Sequence, residues 1–260
     1  MSTIDFVYGE PDDAAINGIS ISGVGSGLVN IHEAGDGKIT GRIDCSDGSY
    51  LGNAEVRQSH DQLRIHFPNT LGRGSEVYVD LAVPPNLAFQ INTGSADVNI
   101  QTSIVRSKIS TGSGDIGLNR GEDVRCNTGS GDINAGTVLG SGSQLTSGSG
   151  DITVNDANAS LSARAASGSV VVRRFAGAMR ASTASGDIRV PSTTGSLELR
   201  TASGDVAVGV ADNLPAWLDL RSVSGDVNIE LDASNQPAEG DPYVTITAST
   251  ASGDVSIHRA

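Results

Sequence analysis

Residues 183–208 read TASGDIRVPSTTGSLELRTASGDVAV, so the motif Thr-Ala-Ser-Gly-Asp occurs twice, 18 residues apart. Apolar residues follow each motif at alternate positions, and Leu197 and Leu199 precede the second motif with the same period of two. This period is typical of a strand with one buried face. Each repeat therefore predicts two strands joined at a Thr-x-Ser-Gly-Asp corner.

The same motif recurs along the last two thirds of the chain in nine copies, with spacings of 18, 17, 19, 18, 18, 18, 21 and 28 residues. We therefore predict an all-β fold, a parallel β-solenoid (β-helix) of about 18 residues per coil, right-handed by default. The longer spacings indicate inserted loops, such as Asn235-Gln236-Pro237. The acidic positions of the nine copies are Asp97, Asp115, Asp132, Asp151, Ser169, Asp187, Asp205, Asp226 and Asp254.

Residues 1–88 lack the repeat but contain strand-like segments at Ile19–Ile21, Leu63–Phe67 and Glu76–Val83. An open end of a solenoid leaves backbone groups unpaired, and terminal coils are usually covered. We therefore predict an N-terminal β cap over residues 1–88, continuous with a repeat solenoid over residues 89–260. The boundary is placed near Pro84-Pro85, because proline lacks the amide that a strand ladder needs.

The composition excludes several kinds of partner. The net charge of −13 argues against nucleic acid and anionic membranes, which are bound mainly by Lys and Arg.

Cys45 and Cys126 lie far apart in sequence, so we expect both to be reduced and buried. Residues 1–13 resemble no export signal, and no apolar stretch could span a bilayer. We expect a cytoplasmic location, or the cell surface if the chain is exported by another route.

Three corners resemble the bacterial "putative adhesin" β-strand repeat family of unknown function: Thr111-Gly-Ser-Gly-Asp-Ile116, Thr128-Gly-Ser-Gly-Asp-Ile133 and Thr201-Ala-Ser-Gly-Asp-Val206. The segment Val77-Tyr-Val-Asp-Leu-Ala-Val-Pro84 resembles the strand that precedes that family's first repeat. The resemblance covers residues 75–260. It implies a bacterial origin and a β-helical fold, and it offers no catalytic residues to carry over.

The corner residues have a structural and a chemical interpretation. We expect glycine to supply a backbone conformation that a Cβ would disfavour, and Ser and Asp to bond amides of their own turn. Ser169 favours this interpretation, because serine can cap a turn but would interrupt an ion ladder. The alternative is a calcium site between stacked carboxylates, formed by Asp115, Asp132, Asp151, Asp187, Asp205 and Asp226. No other cofactor is expected.

Arg164, Arg200 and Arg221 stand at equivalent positions before their corners. They could form a basic strip that holds an anionic glycan or another partner, although outward charges on strands are more often solvated or paired with neighbours. The four histidines show no metal-ligand spacing and the serines have no accompanying histidine, so no catalytic residue is assigned. Trp217 is expected to be an anchor at an edge or in the core.

Three functions follow from different features. Regular coils without catalytic groups favour a non-catalytic, adhesin-like scaffold that binds a protein partner through its faces or associates with itself. The Asp column and the Arg strip favour a cation- or glycan-binding adhesin module. A carbohydrate-active enzyme is the third possibility. We also expect an open coil at Ser256–Ala260, through which molecules could stack end to end.

Overall fold

The computed structural model describes residues 2–9, 15–68, 76–212, 214–231 and 243–260. The predicted insertion at Asn235–Pro237 lies outside these residues. Within them the chain is all-β, as predicted, with a single helical turn, and it divides into two compact units, residues 1–134 and 135–260. The predicted division into a cap over residues 1–88 and a solenoid over residues 89–260 is a different one and stays a prediction.

The strands of the first unit are mostly short at its beginning and long at its end. They are β1 (Ser2–Tyr8), β2 (Gly18–Val24), β3 (Ser26–Glu33), β4 (Ile39–Cys45), β5 (Glu55–Ser59), β6 (Gln62–His66), β7 (Glu76–Val83), β8 (Leu87–Thr93), β9 (Asp97–Thr111) and β10 (Ile116–Thr128), with the helical turn α1 (Gly48–Leu51) after β4. The strand β11 (Ile133–Ser147) begins at the end of this unit.

Strands of the first unit do not stack in sequence order. In one row, β2 lies between β6 and β8 in parallel, and in another β3 lies between β7 and β9 in parallel. The strands β1, β4 and β7 pair in antiparallel order, as do β5 and β6. Apolar residues at alternate positions, such as Ile19 and Ile21 in β2, meet those of the neighbouring strands and are buried. The three strand-like segments predicted for this region lie in or at the ends of β2, β6 and β7.

The second unit contains the later repeats. Its strands are β12 (Ile152–Ala165), β13 (Val170–Thr183), β14 (Ile188–Thr193), β15 (Ser196–Thr201), β16 (Val206–Val210), β17 (Ala216–Ser222), β18 (Val227–Glu230), β19 (Val244–Thr250) and β20 (Val255–Arg259). The described strands β12 to β20 pair with one another in parallel, and Ile152, Val170, Ile188 and Val206 face one another in turn, each 18 residues after the last. These side chains are fully buried, so a column of Ile and Val forms the core.

The coil order of the second unit contradicts one expectation. The last strands in sequence, β19 and β20, lie between the pair β15 and β16 and the pair β17 and β18. Ser256–Ala260 is therefore not an open coil, and the outer coil among the described strands is formed by β17 and β18. The sequence pattern could not show this, because both coils offer apolar residues with the same period of two to the same columns.

No helix in the described part of the chain is long and apolar enough to cross a membrane.

Candidate functional site

The threonine that opens each corner ties neighbouring coils together. The Thr128 hydroxyl accepts a hydrogen bond from the Gly131 amide at 3.0 Å and donates one to the Gly114 carbonyl of the preceding coil at 3.1 Å. Thr183, Thr201 and Thr250 make the same donation to a glycine carbonyl of a neighbouring coil, at 2.9–3.0 Å. These threonines are buried. The Thr128 hydroxyl is thus satisfied on both sides of its corner, a role that the sequence pattern does not reveal.

The repeated serine does not cap the turn. The side chains of Ser113, Ser185 and Ser203 are exposed and form no hydrogen bond with any described residue. The prediction that the serine hydroxyl bonds an amide of its own turn is therefore wrong for them. In this corner the threonine takes that role, since the Thr128 hydroxyl accepts a hydrogen bond from the Gly131 amide of the same turn.

The repeated glycine is required by close packing of coils. Gly131 and Gly186 do not have a positive φ, so the expected special backbone conformation is not the reason for glycine. A Cβ on Gly131 would lie 2.0 Å from the Gly114 carbonyl oxygen, and one on Gly186 would lie 2.1 Å from that of Gly168. Such distances are well inside van der Waals contact. Glycine therefore lets successive corners stack at strand spacing.

The aspartates form a ladder between coils. A carboxylate oxygen of Asp187 accepts the Asp205 amide at 2.9 Å, and one of Asp205 accepts the Asp254 amide at 2.9 Å. The Asp254 carboxylate accepts the Asp226 amide at 2.8 Å in the outer coil. In the first unit, Asp97, Asp115 and Asp132 are linked in the same way. The expectation that each aspartate caps its own turn is therefore wrong, because the acceptor serves the next coil.

The six candidate calcium ligands belong to the ladders of the two units, Asp115 and Asp132 to the first and the others to the second. Asp115, Asp187 and Asp205 each use one carboxylate oxygen for a backbone amide. Asp151 does so too, for the Ser169 amide at 2.8 Å, which places Ser169 in the ladder as a donor without a carboxylate of its own. Among the described residues, no group of three or more His, Cys, Asp or Glu side chains is arranged to hold a metal ion. The six candidate ligands are Asp115, Asp132, Asp151, Asp187, Asp205 and Asp226.

The predicted arginine strip is one outward row of the second unit. Parallel pairing places Ser182 between Arg164 and Arg200, and Ser249 between Arg200 and Arg221. Successive arginines are thus two strands apart, about 9.6 Å at a strand spacing of about 4.8 Å. The structure therefore brings the three side chains into one row but separates them by serines, because β13 lies between the strands of Arg164 and Arg200, and β19 lies between those of Arg200 and Arg221.

Two of the three arginines have carboxylate partners. Arg200 pairs with Glu198 at 2.7 Å, and Glu198 also binds Arg180 at 2.8 Å. Arg221 pairs with Asp219 at 3.2 Å. Arg164 has no ion pair with any described residue.

Arg164 lies in a shallow groove of about 680 Å³ on this face. Hydroxyl groups contribute much of the lining, from Ser160, Ser162, Ser196, Thr245 and Thr247. A guanidinium without a counter-ion among hydroxyl donors and acceptors can bind a carboxylate, sulfate or phosphate group, because its planar donors match two oxygens. Glu198, the carboxylate in the groove, was not singled out in the sequence, and its pairing with two arginines depends on a neighbouring coil.

The pKa values of two ionisable groups outside the groove are shifted by their surroundings. The Arg174 guanidinium hydrogen-bonds the Asp156 carboxylate one coil away and lowers its pKa. Burial raises the pKa of the Cys126 thiol. Cys126 and Cys45 are buried and free of disulfides, as predicted.

Parallel strands stacked in columns, with corners joined by Thr and Asp side chains, define a repeat protein whose faces are built from equivalent positions of successive coils. The chain belongs to the Toastrack DUF4097 family, whose model matches residues 29–258. The fold of that family is β-solenoid-like.

Two solved structures share this fold. One is described as a "putative adhesin" from Bacteroides fragilis NCTC 9343, with 12% identity, a TM-score of 0.51, and coverage of 98% of this chain and 97% of that chain. The other is described as a "putative lipid binding protein" from Parabacteroides distasonis ATCC 8503, with 17% identity, a TM-score of 0.50, and coverage of 98% and 96%. At these identities the likeness concerns the fold alone. No curated protein matches the chain.

Proposed function

We propose that the chain is a non-catalytic, adhesin-like interaction module that binds an anionic partner through the outward face of its second unit. One observation carries the proposal: Arg164 lies in the hydroxyl-lined groove without a carboxylate partner among the described residues. A charge at a binding face gains most from a ligand when no neighbour already neutralises it. We also propose that the chain is not an enzyme. Glu198 is the carboxylate that lines the groove, and its ion pairs with Arg180 and Arg200 support a structural role for it and not an acid–base role.

The anionic partner belongs to one of two classes. An acidic protein segment fits the scaffold interpretation, in which a partner protein lies across successive coils. An anionic glycan is the second candidate, favoured by the alternation of arginine and serine in the row Arg164, Ser182, Arg200, Ser249 and Arg221. A polymer with a charged group at regular intervals could engage several of these arginines, while the serines bond its hydroxyls.

Titration calorimetry with polyglutamate, polygalacturonate and neutral dextran tests the proposal and distinguishes the classes. We expect one of the two acidic polymers to bind and dextran not to bind. Arg164→Ala should abolish the binding, whereas Arg173→Ala, an exposed arginine on the other strand row, should leave it unchanged. Binding that is unaffected by Arg164→Ala, or no binding of either acidic polymer, would refute the proposal.

The calcium alternative has a separate test. A ligand bound only by the folded state must raise the unfolding midpoint. Because one oxygen of Asp187 and of Asp205 already accepts an amide, we expect millimolar calcium to leave the midpoint unchanged. An increase that Asp205→Asn removes would support the cation-binding module instead.

The handedness and coil length of the solenoid, its N-terminal cap and its cellular location are also proposals. We propose a right-handed solenoid with about 18 residues per coil. The 18-residue register of Ile152, Val170, Ile188 and Val206 supports the coil length. The N-terminal strands are proposed to cap it. The cytoplasmic location, with the cell surface as the alternative, also stays a prediction.

A further inference from the structure

The strand β17 is an edge of the second unit. Among the described strands it pairs with β19 alone, whereas β15 pairs with both β13 and β19. Two large apolar side chains at this edge are open to solvent: Trp217 is 64% exposed, and Val223, directly after the strand, is 86% exposed. An edge strand with exposed apolar side chains is a template for pairing with another chain.

The backbone of β17 determines which residues can form that pairing. The Pro215 carbonyl accepts the Val244 amide, and the Val223 amide donates to the Thr250 carbonyl. Backbone groups of successive strand residues point to alternate sides, so the odd-numbered residues of β17 direct theirs toward β19. The even-numbered residues Leu218, Leu220 and Ser222 therefore direct their N–H and C=O groups outward.

Side-chain charge then selects one antiparallel register. In β17 the residues Trp217, Asp219 and Arg221 share the outward face, and Asp219 and Arg221 carry opposite charges. Centring a two-fold pairing on Asp219 would oppose two aspartates, and centring it on Arg221 would oppose two arginines. Centring it on Leu220 places Asp219 opposite Arg221 of the second copy, and Arg221 opposite Asp219 of the second copy. Opposite charges in directly facing positions stabilise a strand pair, and like charges destabilise it.

We infer that β17 pairs with β17 of a second copy of this chain, antiparallel and centred on Leu220. Leu220 then exchanges both backbone hydrogen bonds with its symmetry mate, and Leu218 does so with Ser222 of the second copy. On the outward face, Trp217 packs against Val223 of the second copy. The contact is self-complementary, as a two-fold interface requires. It borders the groove and shares Arg221 with the arginine row, but it does not use Arg164.

Charge exchange in the full-length chain tests the register. Asp219→Arg and Arg221→Asp each place like charges opposite each other in a homodimer, so each variant should dimerise at least about tenfold more weakly than the natural chain. A mixture of the two variants restores both ion pairs between unlike chains and should form a heterodimer. The double variant Asp219→Arg/Arg221→Asp should also dimerise as the natural chain does.

Sedimentation velocity over a wide concentration range gives the association constants. Trp217 supplies a second measurement, because it is the only tryptophan in the chain and its fluorescence should shift to shorter wavelength as dimers form. The control is Arg200→Asp, which reverses the same charge beside Glu198 on an inner strand and should not alter association.

The inference is wrong if the natural chain remains monomeric at every concentration with constant Trp217 emission. It is equally wrong if the mixed variants fail to associate, or if Arg200→Asp weakens the dimer as much as Arg221→Asp. None of these three results bears on the polymer titration, because that titration depends on Arg164 and can be done below the dimer concentration.

Discussion

Replacing Thr128 by valine tests whether the buried corner hydroxyls hold successive coils together. Valine has nearly the shape of threonine, so the change leaves no cavity and removes only the hydroxyl. It deletes the acceptor for the Gly131 amide and the donor to the Gly114 carbonyl, both buried. Each net hydrogen bond contributes about 0.5–1.5 kcal/mol, and an unpaired buried partner costs about 1–3 kcal/mol. We therefore expect a loss of about 2–4 kcal/mol in the free energy of unfolding.

Urea unfolding followed by circular dichroism measures this loss, and a thermal melt should show a midpoint lower by about 6–12 °C. Thr128→Ser keeps the hydroxyl and removes one methyl group, so it should cost only about 1 kcal/mol. Serine already performs this role at Ser147, whose hydroxyl accepts the Gly150 amide. If Thr128→Val is no more destabilising than Thr128→Ser, the hydroxyl does not tie the coils and the reasoning is refuted.

Three other experiments test the glycine contact between coils, the aspartate ladder and the buried core. Gly186→Ala should destabilise the chain by about 3 kcal/mol or more in urea unfolding, because its Cβ would lie 2.1 Å from the Gly168 carbonyl oxygen. Asp205→Ala should cost about 1 kcal/mol by removing the acceptor of the Asp254 amide, whereas Asp205→Asn keeps an acceptor oxygen and should cost less than about 0.5 kcal/mol. The Cys126 thiol, whose pKa is raised by burial, should react with a maleimide only as fast as the chain unfolds.

Each of these expectations has a result that would count against it. Ser185→Ala changes the neighbouring exposed side chain and should be neutral, so an equal loss for Ser185→Ala and Gly186→Ala would exclude a steric cause. Equal stabilities of Asp205→Ala and Asp205→Asn would mean that the hydrogen bond from the Asp254 amide to the side chain of residue 205 contributes nothing to the free energy of unfolding. Labelling of Cys126 in native buffer, at a rate independent of urea, would mean that its burial is incomplete.

The local fold could be predicted from the sequence because it rests on short-range patterns. Residues such as Leu197 and Leu199 alternate with polar neighbours, and this period alone predicts a half-buried strand. The repeat then places equivalent residues in columns. The roles within the corner were harder to predict, since both Ser203 and Thr201 carry a hydroxyl and only the curvature of the chain decides which one lies inside.

The candidate site was predicted in part. The sequence identifies Arg164, Arg200 and Arg221 as equivalent, and they do lie in one row. The sequence contains a signal for their pairing, because Glu198 and Asp219 each stand two residues before their arginine on the same strand face, whereas Ser162 stands there before Arg164. It could not show that Glu198 also binds Arg180 one coil away. It also could not place Ser249 between Arg200 and Arg221, since that position follows from the non-sequential order of the coils.

This order has a consequence for how the chain is made. The Asp205 carboxylate bonds an amide 49 residues further along the chain, and the Asp226 amide bonds a carboxylate 28 residues further along. While the ribosome is still synthesising the chain, the coil of β17 and β18 can emerge before its stacking partner exists, with the strand edges that pair with β19 and β20 still open. Long-range pairing of this kind slows folding and exposes strand edges to other chains. Assembly of the second unit therefore depends on β19 and β20, which are synthesised after the coil of β17 and β18 that they join, and a stop within β19 would deprive that coil of its partner.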